Sequence, residues 1–141
     1  NTSGIAPGTY NLTVTATGGG VTRTINLTLR VTGYTISINP NSQDLTTEAP
    51  VNYTITVTPL NGFVGQVNLS VSGLPAFITS SFSSNPLTFN VGSGAQNSTL
   101  QLVYTVGEAI QTYTFTVTGT TGTYSASSTG QVRVIPGGYP E

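Results

Sequence analysis

Six asparagines, Asn1, Asn11, Asn26, Asn52, Asn68 and Asn97, each stand two residues before a serine or threonine with no proline between. That spacing marks an acceptor for N-linked sugar. Six of the chain's eleven asparagines fit it, more than its 41 serines and threonines among 141 residues would produce by chance. Other chemistry lacks parts. Serine-type nucleophilic catalysis needs a base, normally His, and the chain has no His, Lys or Cys. Zinc sites draw on Cys or His. A paired-carboxylate hydrolase needs two acids across a cleft, but Asp44 and Glu48 share one loop and Glu108 falls in a turn. No catalytic residue, cofactor or metal site is therefore expected. Calcium held by Asp44, Glu48 and loop carbonyls is the nearest alternative; solvating a loop is the simpler role for these acids.

Strands must place the asparagines. Val51, Tyr53, Ile55 and Val57 alternate with Asn52, Thr54, Thr56 and Thr58; Val67, Leu69 and Val71 alternate with Asn68, Ser70 and Ser72. A period of two gives each run one apolar and one polar face. Pro59, Asn61, Gly62 and Gly65 punctuate the link between them. Asn11 lies between Tyr10 and Leu12, Asn26 between Ile25 and Leu27, and Asn97 keeps the phase of Thr99 and Gln101. These five asparagines are therefore expected to point away from the core.

The same alternation organises the rest. Tyr10, Leu12 and Val14 and then Ile25, Leu27, Leu29 and Val31 flank Gly18-Gly19-Gly20, which reads as a hairpin. Tyr34, Ile36 and Ile38 begin a strand that Pro40 ends. Residues 41–50 read as a polar loop, and Phe77, Ile78 and Phe82 as a plug over one end of the core. Leu87, Phe89 and Val91 suggest a short strand; runs at 100–106, 113–117 and 124–134 complete an all-β pattern with no helical periodicity. The expected core is Ile36, Tyr53, Ile55, Val57, Val67, Leu69, Leu102, Tyr104, Phe115, Val117, Val132 and Val134. Tyr10 and Tyr113 share the inward phase, while Tyr34, Tyr124 and Tyr139 read as interdomain packing.

An internal repeat sets the domain boundaries. A shift of 103 residues lays 4–31 on 107–134 without gaps, with eleven of 28 positions identical. Gly33-Tyr34 recurs as Gly138-Tyr139. Residues 1–32 then read as the C-terminal hairpin of a preceding repeat, 33–136 as a complete domain, and 137–141 as a linker and the start of a next repeat. The absence of an initiator Met and of a leader-like segment is read as a mature form or an excerpt of a tandem array.

Only seven residues are charged, and the net charge of −1 leaves no electrostatic footprint for nucleic acid or an anionic membrane. No apolar run reaches membrane-span length. Without cysteine nothing is stapled.

The run Ile36-Ser37-Ile38-Asn39-Pro40, the stretch PVNYTITVTPLNGFVGQVNLSVSGLP, the Ser-Phe-Ser of 81–83 and QTYTFTVTGT at 111–120 resemble the immunoglobulin-like repeats of bacterial and archaeal surface and secreted proteins. The resemblance covers 33–136 and part of the N-terminal hairpin. It implies an antiparallel, fibronectin III-like β-sandwich of about seven strands, often in tandem, serving as stalk, spacer or fibre, with no catalytic residues. Antibody-type Trp and Cys are missing. The expected protein is a non-enzymatic, extracellular or cell-surface structural one. Tandem repeats would form a glycosylated stalk or filament through head-to-tail contacts with copies of itself or adjacent repeats. The alternative is an adhesin, or an accessory carbohydrate-binding or spacer domain of a secreted enzyme. An exposed aromatic row or a bound calcium would favour that alternative.

Overall fold

A computed structural model describes residues 4–105, 110–122 and 124–135. Among them are eleven strands and no helix: β1 (Gly8–Gly18), β2 (Val21–Val31), β3 (Gly33–Asn39), β4 (Ser42–Leu45), β5 (Val51–Leu60), β6 (Gly65–Ser72), β7 (Ile78–Phe82), β8 (Leu87–Phe89), β9 (Gln96–Tyr104), β10 (Gln111–Thr121) and β11 (Tyr124–Val134). β1 and β2 form a sheet of their own; Gly19 and Gly20, at φ +57° and +79°, make the two-residue turn between them. Positive φ at both positions is what a twisted two-residue hairpin requires. The other nine strands form two sheets, ordered β3-β5-β9-β7 and β4-β11-β10-β6-β8. Except for the parallel β4–β11 pair, all strand pairs are antiparallel.

The inward phase of the two sheets makes one core. All twelve expected core residues are buried, together with Tyr34, Ile38, Leu45, Phe63, Ile78, Leu87, Phe89 and Leu100. Ring pairs fill the space between the sheets: Tyr53 meets Phe115 edge-on at 5.1 Å, and Tyr34 meets Phe63 at 5.1 Å and Tyr124 at 5.0 Å. Gly130 lies opposite Phe115 in register, where a side chain would strike the ring; an added Cβ would lie 2.7 Å from its Cζ.

Hydroxyls link the sheets in a chain that has no disulfide. Tyr34 donates to the carbonyl of Gly119 at 3.0 Å, and Tyr53 donates to that of Gln131 at 2.5 Å. Burial is the main cause that pushes both phenols up to about 12; Tyr124 adds to it for Tyr34, and the charge of Asp44 for Tyr53. The folded state thus holds protons that the unfolded chain releases near pH 10. Stability should be flat from neutral pH to about 10 and fall between about 10 and 12. Denaturant titrations across that range check this, and replacing Tyr53 by Phe should shallow the alkaline slope.

Several expectations need correction. Nine strands, not about seven, build the two sheets, in addition to the hairpin. β4 lies inside the expected polar loop, because an edge strand with one buried residue, Leu45, shows no alternation. The expected plug contains β7, where Ser80 interrupts the inward series between Ile78 and Phe82 and so hides it. Val91 lies beyond the end of β8 and is 92% exposed, because the chain turns at Asn90–Ser93. Tyr34 packs in the core rather than between domains. Val106, Glu108 and Tyr139 lie outside the described residues.

Polar side chains finish the ends of the strands. The Asn85 amide donates to Leu69 O and accepts from Leu69 N, both at 2.8 Å, extending the β6 edge beyond β8. Ser98 is buried and tied to Ser84, donating to its carbonyl at 2.7 Å. Such satisfied groups keep an edge from pairing with another chain.

Candidate functional site

The five asparagines within the described residues are all exposed, and they do not converge. Asn52 and Asn97 lie on the outer face of the β3-β5-β9-β7 sheet, Asn68 on the outer face of the opposite sheet, and Asn11 and Asn26 on the polar face of the hairpin. Two are oriented by a threonine on the adjacent strand: Thr56 donates to Asn97 Oδ1 at 2.9 Å and Thr13 to Asn26 Oδ1 at 3.1 Å. In both, the carbonyl oxygen takes the hydrogen bond, so the nitrogen that would carry a sugar is turned from the neighbouring strand. Asn1 lies outside the described residues.

The acids do not form a cleft. Asp44 accepts two hydrogen bonds from Arg133, Nε to Oδ1 at 2.8 Å and Nη2 to Oδ2 at 2.9 Å. The two residues are register partners across the parallel β4–β11 pair. That guanidinium holds the Asp44 carboxyl below its ordinary value. Among the described residues no group of three or more His, Cys, Asp or Glu is placed to hold a metal ion. No row of exposed aromatic rings stands on either sheet among them.

The unusual surface is on the hairpin. Register places Tyr10 opposite Leu29, Leu12 opposite Leu27 and Val14 opposite Ile25, so all six share one face. The other face carries Thr9, Asn11, Thr13, Thr15 and Thr17 opposite Arg30, Thr28, Asn26, Thr24 and Thr22. The apolar face is bare: Leu12 is 45% exposed, Val14 51%, Ile25 59% and Leu27 47%. Tyr10, expected in a core, is open on this face too. A hairpin alone is marginal in water, and contiguous apolar surface of this kind marks an interaction site.

The hairpin and β10–β11 are the same element. Gly8 pairs with Val31 and Gly18 with Val21; Gln111 pairs with Val134 and Thr121 with Tyr124. The 103-residue shift converts one register into the other at every pair. Side chains compensate across the strands: the Phe115–Gly130 pair of the sandwich is Leu12–Leu27 in the hairpin. A large ring against no side chain and two leucines fill similar space. Arg133, which binds Asp44, has Arg30 as its counterpart.

No protein-family model and no curated protein matches the chain. Solved structures do. A crystal structure of domains 4 and 5 of the S-layer protein SbsC matches with TM-score 0.52 and 22% identity, over 93% of this chain and 60% of that one. A longer crystal structure of the same protein, rSbsC(31-844), matches with TM-score 0.54 and 24% identity, over 96% of this chain and 17% of that one. The chain therefore spans about three fifths of the first of these structures and about a sixth of the second. At this identity the likeness is one of fold: this chain has the all-β architecture found in domains of a surface-layer protein.

Proposed function

We propose that this chain is a stretch of an extracellular structural protein, a tandem array of immunoglobulin-like sandwiches, in which β1–β2 completes the sandwich preceding the one at 33–136. The single observation that carries this is the bare apolar face on a hairpin whose register equals that of β10–β11. In the sandwich at 33–136 that face is covered by the β3-β5-β9-β7 sheet. The occupant of the hairpin's face is accordingly the corresponding sheet of a preceding repeat. Arg30 then faces a β4-like edge strand, as Arg133 faces Asp44.

Two further observations support the reading. The chain leaves one sheet after Asn39-Pro40 and pairs in the other as β4, and the strand orders β3-β5-β9-β7 and β4-β11-β10-β6-β8 are compatible with an immunoglobulin-like Greek key. The match to a structure of two successive S-layer domains covers 93% of this chain, more than the two facing sheets alone contain. That likeness and the scarcity of charge support extracellular placement and a structural role.

Sugars belong to the same proposal. Linked to Asn11, Asn26, Asn52, Asn68 and Asn97, they would hydrate a surface with few charges and hinder edge-to-edge pairing of strands. Glycopeptide mass spectrometry of native protein should find several of the five occupied; five bare asparagines would remove sugar from the account. Electron microscopy of the native assembly tests the array itself. Regularly spaced units in a filament or lattice are expected, and dispersed single sandwiches would contradict it.

A further inference from the structure

The hairpin is held at its base and open at its tip. Only Thr32 separates β2 from β3, and Pro7 lies so close to Gly33 that a Cβ there would be 2.2 Å from the proline Cγ. Val31, at the base, is 8% exposed. Arg23 stands toward the other end, opposite Ala16 in the third pair from the turn. At a strand rise of about 3.3 Å per residue, it lies roughly 26 Å along β2 from Val31. Alternation puts Arg23 and Ala16 on the apolar face, in phase with Ile25 and Val14. Arg23 is exposed there and makes no hydrogen bond or ion pair among the described residues. A guanidinium on an otherwise apolar face needs a partner once that face is covered.

The corresponding place in the sandwich shows what would stand over it. The 103-residue shift sets Arg23 on Ala126, Ala16 on Gly119 and Val21 on Tyr124. Gly119 and Ala126 are register partners, and the Tyr34 phenol reaches across this part of the strand pair. Its hydroxyl lies 3.0 Å from the carbonyl of Gly119 and 3.3 Å from that of Tyr124. A Cβ on Gly119 would be 3.4 Å from Tyr34 Cε2. Tyr124 packs edge-on against the same ring. The hairpin has Val21 in place of that second ring, and it gains a guanidinium two residues on. Cross-strand partners hold their Cβ atoms about 4.5–5.5 Å apart, so an arginine at the Ala126 position reaches a ring at the Tyr34 position.

We propose that Arg23 caps the ring of the tyrosine that opens the preceding sandwich, the counterpart of Tyr34, in a cation–π contact that replaces the ring pair made by Tyr124. The occupant of this end of the face is the first strand of another copy of the repeat. A guanidinium is attracted to a tyrosine face within about 6 Å of its centroid, and the Gly-Tyr pair that opens β3 recurs in the sequence as Gly138-Tyr139. The inference rests on the tandem reading above.

The test replaces Asn1 and Thr2 of the full chain with an added copy of residues 33–105, so that its strands and β1–β2 make one upstream sandwich. The extended chain carries Ala16→Gly, because a Cβ at the Gly119 position would be 2.6 Å from Ile36 Cδ1. NMR should show contacts between the Arg23 δ-methylene protons and the Tyr34 ring of the added copy, with those protons shifted upfield. Arg23→Ala should lower the folding equilibrium constant of the upstream sandwich about two- to fivefold. Arg23→Gln, which keeps a long polar chain without the charge, should lower it as much. An upstream sandwich that closes without Arg23–ring contacts, or whose constant Arg23→Ala leaves unchanged, overturns the cap and leaves the array standing. Full stability in Arg23→Gln reduces Arg23 to packing and overturns the cap as well. β1 and β2 amides that stay unprotected in the extended chain overturn the tandem reading itself.

Discussion

Replacing Ile55 with aspartate should abolish cooperative folding of the sandwich. Ile55 is fully buried, opposite Ile38 on one neighbouring strand and Ser98 on the other. Truncating a buried Ile costs about 2–5 kcal/mol. An unpaired buried carboxylate adds several kcal/mol more, and among the described residues no charged one is buried to receive it. A domain of this size has a total stability of roughly 5–15 kcal/mol, so the two losses together remove the folded state. Thr54→Asp, on the solvent face of the same strand, is the control and should change stability by about 0.5 kcal/mol or less. Circular dichroism melts of the two variants check the pair. A soluble Ile55→Asp protein with a cooperative transition would contradict the assignment of the inner face.

The second large effect concerns the hairpin. Isolated residues 1–141 should self-associate, since Tyr10, Leu12, Val14, Ile25 and Leu27 lie bare on one face of β1–β2. The double substitution Leu12→Asp and Leu27→Asp places two carboxylates directly opposite each other at the centre of that face. Like charges there repel, and both resist desolvation. Association measured by sedimentation should disappear. The melting transition of the sandwich should stay where it was, because neither residue belongs to its core. A shift of that transition with unchanged association would show that the hairpin face serves the sandwich at 33–136 instead.

Alternation carried most of this architecture into plain view. Wherever a strand buries one face along its length, as β5 does with Tyr53, Ile55 and Val57, the inward residues can be read directly. It fails where burial is partial. β4 contributes Leu45 alone, and β7 has a serine at its central inward position, so neither shows a period. Tyr34 was misplaced for a different reason: it shares the phase of Ile36 and Ile38, but its position beside the junction glycine made it read as interdomain packing. The Asp44–Arg133 pair joins residues 89 apart through a parallel edge, which no local pattern announces. On the functional side, the sequons and the hairpin repeat were legible. The close approach of Pro7 to Gly33 was not, because Pro7 is a single residue before a strand, and its significance lies in what Gly33 lacks.

On the tandem reading, β1–β2 belongs to a sandwich other than the one at 33–136. Light scattering and amide hydrogen exchange on residues 33–136 and on residues 1–141, prepared separately over a range of concentrations, test it most directly. Residues 33–136 should be a stable monomer whose transition matches the one in the longer chain, and 1–141 should associate through its first 32 residues. A monomeric 1–141 whose β1 and β2 amides are protected as strongly as those of β10 and β11 would contradict it.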